Sequence, residues 1–233
     1  MSDDVGPLIA TGRDGDIYEF GQGLVLRKTR DGRSVESEAR VMRYAAERGY
    51  PVPKVGEVRV GGTELIMERV DGPMMADVIA RQPWKLPRYA SMLADLQDQL
   101  HEIPAPDWLP RLPDGGDRLV HLDLHPLNVM LAARGPVVID WTNAAAGEAL
   151  TDAAMTYVLL TCPRMEAAPV VQPFIRLVRS YMAGVFARRY RGPAFDARLV
   201  VAAEMKALDR NMTPPEIAAC RRLAARAERK ARA

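Results

Sequence analysis

The chain has 233 residues, of which 48% are hydrophobic and 27% charged, and this is the composition of an ordinary globular protein. No run of about 18 apolar residues could span a bilayer, and the acidic start of the sequence lacks the regions of a secretory signal. The two cysteines, Cys162 and Cys220, form neither a metal-binding spacing nor a disulfide framework, so we expect a cytoplasmic protein.

The net charge of +2 is unevenly distributed along the sequence. The last thirteen residues hold six Lys or Arg and one Glu, so they carry +5 and leave −3 for residues 1–220. A basic segment of this kind can contact nucleic acid or lipid. Because it has Ala and Leu on one face and no aromatic side chain to stack on bases, we interpret it as a solvated helix end. We therefore expect neither nucleic acid nor a membrane as a partner.

The first seventy residues predict a small antiparallel sheet and one helix. Short strands around glycines are indicated at residues 8–10, 17–20 and 24–28, which together form a meander. Apolar residues at spacings of three and four predict a helix over residues 34–48. Two further strands, at residues 56–60 and 63–67, are expected to pair around the turn Gly61-Gly62.

Beyond a connector at residues 68–73 the pattern becomes mainly helical. Pro87 opens a helix whose apolar stripe continues to Ile103, and a hairpin pairs residues 129–131 with 137–139. Further helices are predicted near residues 151–162, 169–190, 194–210 and 213–231, the last beginning with Thr213 and Glu216 in the positions of a capping box. This outline is an α+β fold with an N-terminal lobe, residues 1–70, and a mainly helical C-terminal lobe, residues 71–233.

Polar residues that could carry chemistry are concentrated in two segments, HLDLHPLNVM at residues 121–130 and VVIDW at residues 137–141. Apolar neighbours indicate that these residues are buried, where an unpaired charge is costly. Phosphoryl transfer needs a group that orients the attacking hydroxyl and hard oxygen ligands for Mg²⁺. Asp123, Asn128 and Asp140 supply such a set, and the intervening hairpin can bring them together.

The order and spacing of these residues resemble the signature of the aminoglycoside phosphotransferase family, relatives of the protein kinases: His121-x-Asp123-x-x-x-x-Asn128 followed by Ile139-Asp140-Trp141. The resemblance implies a two-lobe protein-kinase-like fold. It also implies that Asp123 is the catalytic base and that Asn128 and Asp140 are Mg²⁺ ligands. Trp141 in place of Phe-Gly, and the lack of an Ala-Pro-Glu motif, distinguish the chain from protein kinases.

Three further residues are expected to support the loop that carries Asp123 and Asn128, which we call the catalytic loop. We expect His121 and His125 to bond the loop backbone rather than to transfer protons. Asp152, which follows Gly147-Glu148 and Thr151, resembles a family aspartate that braces the catalytic loop.

The resemblance places the first nucleotide-binding residues on the third strand and the helix that follows it. In the kinase fold a cation on this strand contacts the nucleotide phosphates and is held by a Glu of the next helix, here Glu38. Arg27 and Lys28 both end the strand, and strand alternation directs them to opposite faces, so only one can point inward. We favour Arg27, which falls in register with the family's cation.

Two other segments are assigned to the nucleotide by the same resemblance. The turn that contains Gly12 and Gly15 resembles the phosphate-binding loop, although a plain hairpin explains these glycines equally well. Residues 65–72 resemble the hinge, where backbone groups near Glu68 and Val70 would bind the adenine edge.

Together these residues predict an ATP- or GTP-dependent phosphotransferase that uses Mg²⁺ and phosphorylates a hydroxyl group of a small molecule. Family relatives act on aminoglycosides, other antibiotics, choline, homoserine and sugar derivatives, and the C-terminal helices carry no motif that selects among them. An aminoglycoside or another antibiotic is one candidate acceptor.

Two other functions stay open. Since Arg27, and not the Lys that is usual in the kinase fold, falls in register on the third strand, the chain could be a catalytically inactive nucleotide-binding regulatory protein. Alternatively His121, Asp123 and His125, at alternate positions, could bind a metal with Asp140 in a hydrolase site. Pro126 would end such a strand at once, which counts against the hydrolase.

Overall fold

The computed structural model describes residues 5–12, 15–163 and 170–231. The strands are β1 (Val5–Thr11), β2 (Gly15–Phe20), β3 (Leu24–Thr29), β4 (Val55–Arg59), β5 (Glu64–Glu68), β6 (Arg118–Val120), β7 (Val129–Ala132), β8 (Gly135–Val138) and β9 (Ala145–Gly147). The α-helices are α1 (Glu36–Glu47), α2 (Met75–Arg81), α3 (Leu86–His101), α4 (Ala149–Thr161), α5 (Gln172–Ala187), α6 (Pro193–Ala207) and α7 (Pro214–Ala231). These elements form two compact units, one of residues up to Met74 with Val129–Ala144, the other of Met75–Asn128 with the residues from Ala145 onward.

The first unit is built on a five-stranded antiparallel sheet with the strand order β1-β2-β3-β5-β4. Leu26 of β3 and its cross-strand partner Ile66 of β5 pack with Phe20 in one apolar cluster. Because successive side chains of a strand alternate between faces, the neighbouring pair of Arg27 and Leu65 lies on the opposite face. The predicted meander and the two additional strands are confirmed.

Helix α1 follows the third strand, as predicted. Ala39, Met42 and Ala45, three residues apart, are buried on one face of the helix. The chain leaves the helix at Gly49, whose φ of 79° is in the left-handed region that glycine adopts readily at helix ends.

The hairpin of β7 and β8 also belongs to the first unit. The backbone N–H groups of Leu131 and Val138 donate to the carbonyl oxygens of Pro73 and Pro51, at 2.9 and 2.8 Å. These bonds position the end of β8, and Asp140 follows two residues later.

The second unit is mainly helical, as predicted. Helix α4 is apolar on almost every side and its residues are largely buried, which is typical of a central helix. Helix α6 packs against both α4 and α7, and α5 packs against α3 and α4. The C-terminal helix begins as predicted, since the backbone N–H and the hydroxyl of Thr213 both donate to Oε2 of Glu216, at 2.8 and 2.6 Å.

Strands β6 and β9 form a short antiparallel ladder in the second unit, and the loop that carries Asp123 follows β6. Gly116, just before β6, has a φ of 98°, and a Cβ atom at this position would lie 2.1 Å from the carbonyl carbon of Gly147 in β9. Only glycine allows this close approach. Neither this ladder nor α2 is predicted by the sequence, because elements of three and seven residues are too short to show a hydrophobic period.

Some predicted features fall partly outside the described residues. The helix predicted over residues 169–190 corresponds to α5, and residue 169 is not described. Residues 13 and 14, between Gly12 and Gly15, are not described either. Within the part of the chain that the structure describes, no helix has the length and hydropathy needed to cross a membrane.

Candidate active site

The loop between β6 and β7 brings together Asp123 and Asn128 in the second unit. Asn128 is buried at the end of a 3₁₀ turn, Pro126–Asn128. Its Nδ2 atom donates to the backbone oxygen of Asp123 at 2.9 Å and to the carboxylate Oδ2 at 3.2 Å. The five-residue spacing thus folds the loop back on itself, and the amide oxygen of Asn128 is turned away from Asp123.

The two histidines of this loop bond its backbone. Nδ1 of His121, which is fully buried, accepts the N–H of Asp123 at 3.2 Å. Nδ1 of His125 accepts the N–H of Leu127 at 3.2 Å, and its Nε2 lies 3.6 Å from Oδ1 of Asp123. These contacts are the ones expected of residues that shape the loop.

Asp152 lies under the catalytic loop, on helix α4. Its fully buried carboxylate accepts two consecutive backbone N–H groups, those of His121 at 3.0 Å and Leu122 at 2.7 Å. Leu122 has a φ of 62°, a left-handed conformation that is unfavourable for leucine. Asp152 therefore holds the loop in a strained conformation immediately before Asp123.

Two residues that the sequence analysis did not single out complete this cluster. Gln97 and His101, one turn apart on α3, both reach Oδ2 of Asp152, at 2.6 and 3.1 Å. Burial alone would raise the pKa of Asp152, but the hydrogen bond and charge of His101, with the two loop N–H groups, hold the pKa below its ordinary value. The available signal was a pair of polar side chains at i and i+4 on a buried helix face.

Arg27 and Glu38 form the corresponding cluster in the first unit. The Arg27 guanidinium is ion-paired with the Glu38 carboxylate, and both side chains are almost buried, 13% and 7% exposed. Lys28 is 54% exposed and lies 3.2 Å from Glu64. The structure thus places Arg27, rather than Lys28, against the helix Glu, and contact of either cation with phosphate stays a prediction.

The Glu38 carboxylate is influenced by the positive charge of Arg27 and the negative charge of Asp140. Burial raises the pKa of Glu38, the charge of Arg27 lowers it, the charge of Asp140 raises it again, and the net shift is upward. Asp140 has a φ of 63°, so the chain turns sharply after β8. The Thr142 hydroxyl lies 3.0 Å from Oδ1 of Asp140 and 3.4 Å from Oε2 of Glu38, which links the two carboxylates. Thr142 was not predicted as a site residue.

Trp141 anchors the turn that carries Asp140. The indole is buried, its Nε1 donates to the backbone oxygen of Val138 at 3.1 Å, and its ring meets Tyr50 edge-on with 5.5 Å between centroids. A large aromatic side chain therefore fixes the backbone next to the carboxylate.

The other residues predicted to contact the nucleotide are Glu68, Val70, Gly12 and Gly15. Oε2 of Glu68 accepts the N–H of Lys54 at 2.9 Å and lies 2.8 Å from Arg134, while Val70 is half-buried. Gly12 donates its N–H to the carbonyl of Gly15 at 2.9 Å. Their contacts with a nucleotide stay predictions.

The donor chemistry fits Mg²⁺ better than a transition metal. The amide oxygen of Asn128 and the carboxylate of Asp140 are hard oxygen donors of the kind that Mg²⁺ prefers. Among the described residues, no group of three or more His, Cys, Asp or Glu side chains is arranged to hold a metal. His121 and His125 direct a ring nitrogen to the loop backbone, so the structure gives no support to the hydrolase alternative.

Comparison with known protein families gives a match to this chain. A model of the phosphotransferase enzyme family matches residues 80–182, the segment that contains Asp123, Asn128, Asp140 and Asp152. No curated protein matches the sequence.

Solved structures share the fold over nearly the whole chain. A thermostable mutant of aminoglycoside phosphotransferase APH(4)-Ia is 16% identical with a TM-score of 0.67, covering 97% of this chain and 95% of that one. A choline/ethanolamine kinase family protein from Mesorhizobium loti is 16% identical with a TM-score of 0.61, covering 96% and 87%. The ternary complex of APH(2″)-IIa with streptomycin and ATP is 15% identical with a TM-score of 0.59, covering 87% and 85%.

These likenesses establish a protein-kinase-like fold. The family match confirms the resemblance to the aminoglycoside phosphotransferase family and, with it, the class of enzyme, a small-molecule kinase.

Proposed function

We propose that the protein transfers the γ-phosphate of ATP or GTP to a hydroxyl group of a small molecule, with Asp123 as the catalytic base. The observation that carries the proposal is the pairing of Asp123 with Asn128 on one loop. In this proposal a base for the acceptor and an oxygen ligand for the nucleotide-bound cation would lie five residues apart on one loop, the spacing of the Asp and Asn in the catalytic loop of protein kinases.

The proposed role of Asp123 is to orient the acceptor hydroxyl and to take its proton as the new bond to phosphorus forms. The Asn128 amide donates to the Asp123 carboxylate and backbone, so the carboxylate is held in one orientation before the acceptor binds. His121 and Asp152 fix the backbone on which Asp123 sits.

The nucleotide is assigned mainly to residues 1–70, and the acceptor to residues 71–233. Arg27, oriented by Glu38, would bind the phosphates, with the backbone of Gly12 and Gly15 nearby in the sequence. Backbone groups near Glu68 and Val70 would take the adenine edge.

Asn128 and Asp140 would hold Mg²⁺, which when bound neutralises charge on the phosphates. The streptomycin and ATP bound to APH(2″)-IIa support ATP as the donor and a hydroxylated compound, such as an antibiotic, as the acceptor. Both cysteines are free thiols, and we place the reaction in the reducing cytoplasm, where nucleotide is abundant.

The test is nucleotide consumption with Mg²⁺ over a panel of hydroxylated acceptors: aminoglycosides, other antibiotics, choline, homoserine and sugars. The proposal expects nucleoside diphosphate and phosphorylated product with at least one class of acceptor. A clear thermal shift with nucleotide but no turnover on any compound would favour the inactive nucleotide-binding protein instead. Release of product with Zn²⁺ and no nucleotide would favour a hydrolase.

A further inference from the structure

A buried polar cluster lies beneath the catalytic loop, between helices α3 and α4. Gln97 and His101 are one turn apart on α3, and Asp152 and Thr156 are one turn apart on α4. The Thr156 hydroxyl donates to Oε1 of Gln97 at 2.7 Å, and Nε2 of Gln97 donates to Oδ2 of Asp152 at 2.6 Å. Gln97, Asp152 and Thr156 are fully buried, so water cannot replace these bonds readily.

The same contacts indicate where His101 carries a proton. Its Nε2 lies 3.1 Å from Oδ2 of Asp152 and 3.0 Å from Nε2 of Gln97. The Gln97 amide is oriented by Thr156 so that its nitrogen already donates to Asp152. We assign the proton to His101 Nε2, because a lone pair on this nitrogen would face a carboxylate oxygen, which is unfavourable.

This arrangement allows the buried carboxylate of Asp152 to stay ionised and to accept hydrogen bonds from the loop backbone. Asp152 has no access to water and depends on donors from protein groups: two side chains of α3 and the N–H groups of His121 and Leu122. Without the donor at His101, the balance shifts toward a protonated carboxyl group. A protonated oxygen cannot accept an N–H as strongly, and the left-handed backbone at Leu122 would lose its support.

We infer that His101 is a positioning residue for catalysis, which acts through Asp152 on the loop backbone and thereby on the orientation of Asp123. The inference rests on the proposed function, since it takes Asp123 as the base. It assigns to α3 a role in the reaction, although no side chain of that helix need touch either substrate.

Two substitutions separate a donor role from a packing role. His101→Phe keeps a ring in the space but removes the donor, whereas His101→Gln keeps an N–H donor without the ring. Leu100→Ala is the control for lost packing on the same helix, because Leu100 is fully buried and apolar.

The first measurement needs no turnover. Backbone hydrogen exchange over residues 119–124 reports the bonds from Asp152 to His121 and Leu122. We expect faster exchange of this segment in His101→Phe, with His101→Gln close to the parent and Leu100→Ala unchanged after correction for global stability. Parent-like exchange in His101→Phe would overturn the inference, and His101→Leu, which also lacks the donor, gives the same comparison if the Phe variant does not fold.

The second measurement uses an acceptor found in the panel. We expect His101→Phe to lower kcat roughly 10- to 100-fold, the usual effect of misplacing a catalytic group, with KM for nucleotide nearly unchanged. His101→Gln should recover much of the loss. In an Asp123→Asn background the same substitution should cost much less, because the group it positions is already disabled. A loss of equal size in both backgrounds would show that His101 does not act through Asp123.

The two measurements distinguish a failure of the proposed function from a failure of the role inferred for His101. If the parent protein phosphorylates nothing, the proposed function is overturned, and hydrogen exchange still decides whether His101 holds the loop. If the parent is active and His101→Phe matches its kcat and its exchange, only the role of His101 is lost.

Discussion

The side-chain amide of Asn128 donates to Oδ2 of Asp123 at 3.2 Å, and the same nitrogen donates to the Asp123 backbone oxygen at 2.9 Å. The loop conformation therefore depends on an acceptor at position 123 and not on its charge. This separation of shape from basicity allows the catalytic role of Asp123 to be tested without unfolding the loop.

Asp123→Asn should keep nucleotide affinity and lower turnover by roughly 10² to 10⁴, the usual effect of a positioned general base. An asparagine at this position still offers an oxygen to Asn128 but cannot take a proton from the acceptor. The measurements are nucleotide binding by calorimetry and kcat with a confirmed acceptor. Asp107→Asn is the matched control, because Asp107 is fully exposed in the same unit and should give the parent rate. Parent-like turnover in Asp123→Asn would assign Asp123 another role.

The alternation of Arg27 and Lys28 gives a second prediction. Arg27→Ala should weaken nucleotide binding about tenfold or more, since a charge-assisted hydrogen bond to phosphate is lost. It should also lower the free energy of unfolding by about 3 kcal/mol, because Glu38 is left buried without its cation.

Lys28→Ala is the matched control and should change neither quantity by much, since Lys28 is 54% exposed. Adding Glu38→Gln to Arg27→Ala should recover part of the stability but none of the affinity. Nucleotide affinity that falls in Lys28→Ala and not in Arg27→Ala would reverse the assignment.

The features recovered from sequence are those with a repeating pattern or a fixed spacing. Alternation in the strand that ends in Arg27 and Lys28 was enough to expect one inward cation, and the structure shows Arg27 against Glu38. The fixed spacing also singled out Asp123 and Asn128, and the structure shows the two side chains hydrogen-bonded on one loop, whereas the approach of Asn128 to Asp140 stays a prediction.

The features missed are contacts made by single polar residues far apart in sequence. Gln97 and His101 lie on a helix whose sequence pattern is dominated by its apolar stripe. The residues around them do not indicate that their partner is the carboxylate of Asp152 on α4, more than 50 residues later. Thr142 is an ordinary residue after a motif, and its role follows only from the 3.4 Å approach of Glu38, 104 residues earlier. Such partners are set by tertiary packing, which periodicity does not encode.

The Thr142 hydroxyl, which links Asp140 and Glu38, gives a third prediction. Thr142→Val should raise the Mg²⁺ concentration needed for half-maximal activity about tenfold, as is usual when a group that orients a metal ligand is removed. Thr142→Ser keeps the hydroxyl and should stay close to the parent. Activity titrated with Mg²⁺ at saturating nucleotide measures the effect. Equal Mg²⁺ requirements in the Val and Ser variants would show that Thr142 does not orient Asp140.

The buried carboxylate of Asp152 predicts a pH dependence of stability. Its pKa in the folded protein lies below the ordinary value of 3.8, because His101 and the loop N–H groups favour the ionised form more than burial disfavours it. For a carboxylate with a lowered pKa, the stabilisation is complete well above the unfolded-state pKa and is lost as the pH falls through the folded-state pKa.

Asp152→Asn, which cannot titrate at this position, should therefore melt at a lower temperature than the parent near neutral pH. The difference in Tm should shrink below about pH 4, as the parent carboxylate takes up a proton. Other carboxylates titrate in both proteins, so their effects cancel in the difference. Thermal unfolding of both proteins from pH 7 to pH 3 provides the measurement. A difference in Tm that stays constant or widens toward pH 3 would show that ionised Asp152 does not stabilise the fold, and the support it is expected to give Leu122 would then have to come from another group.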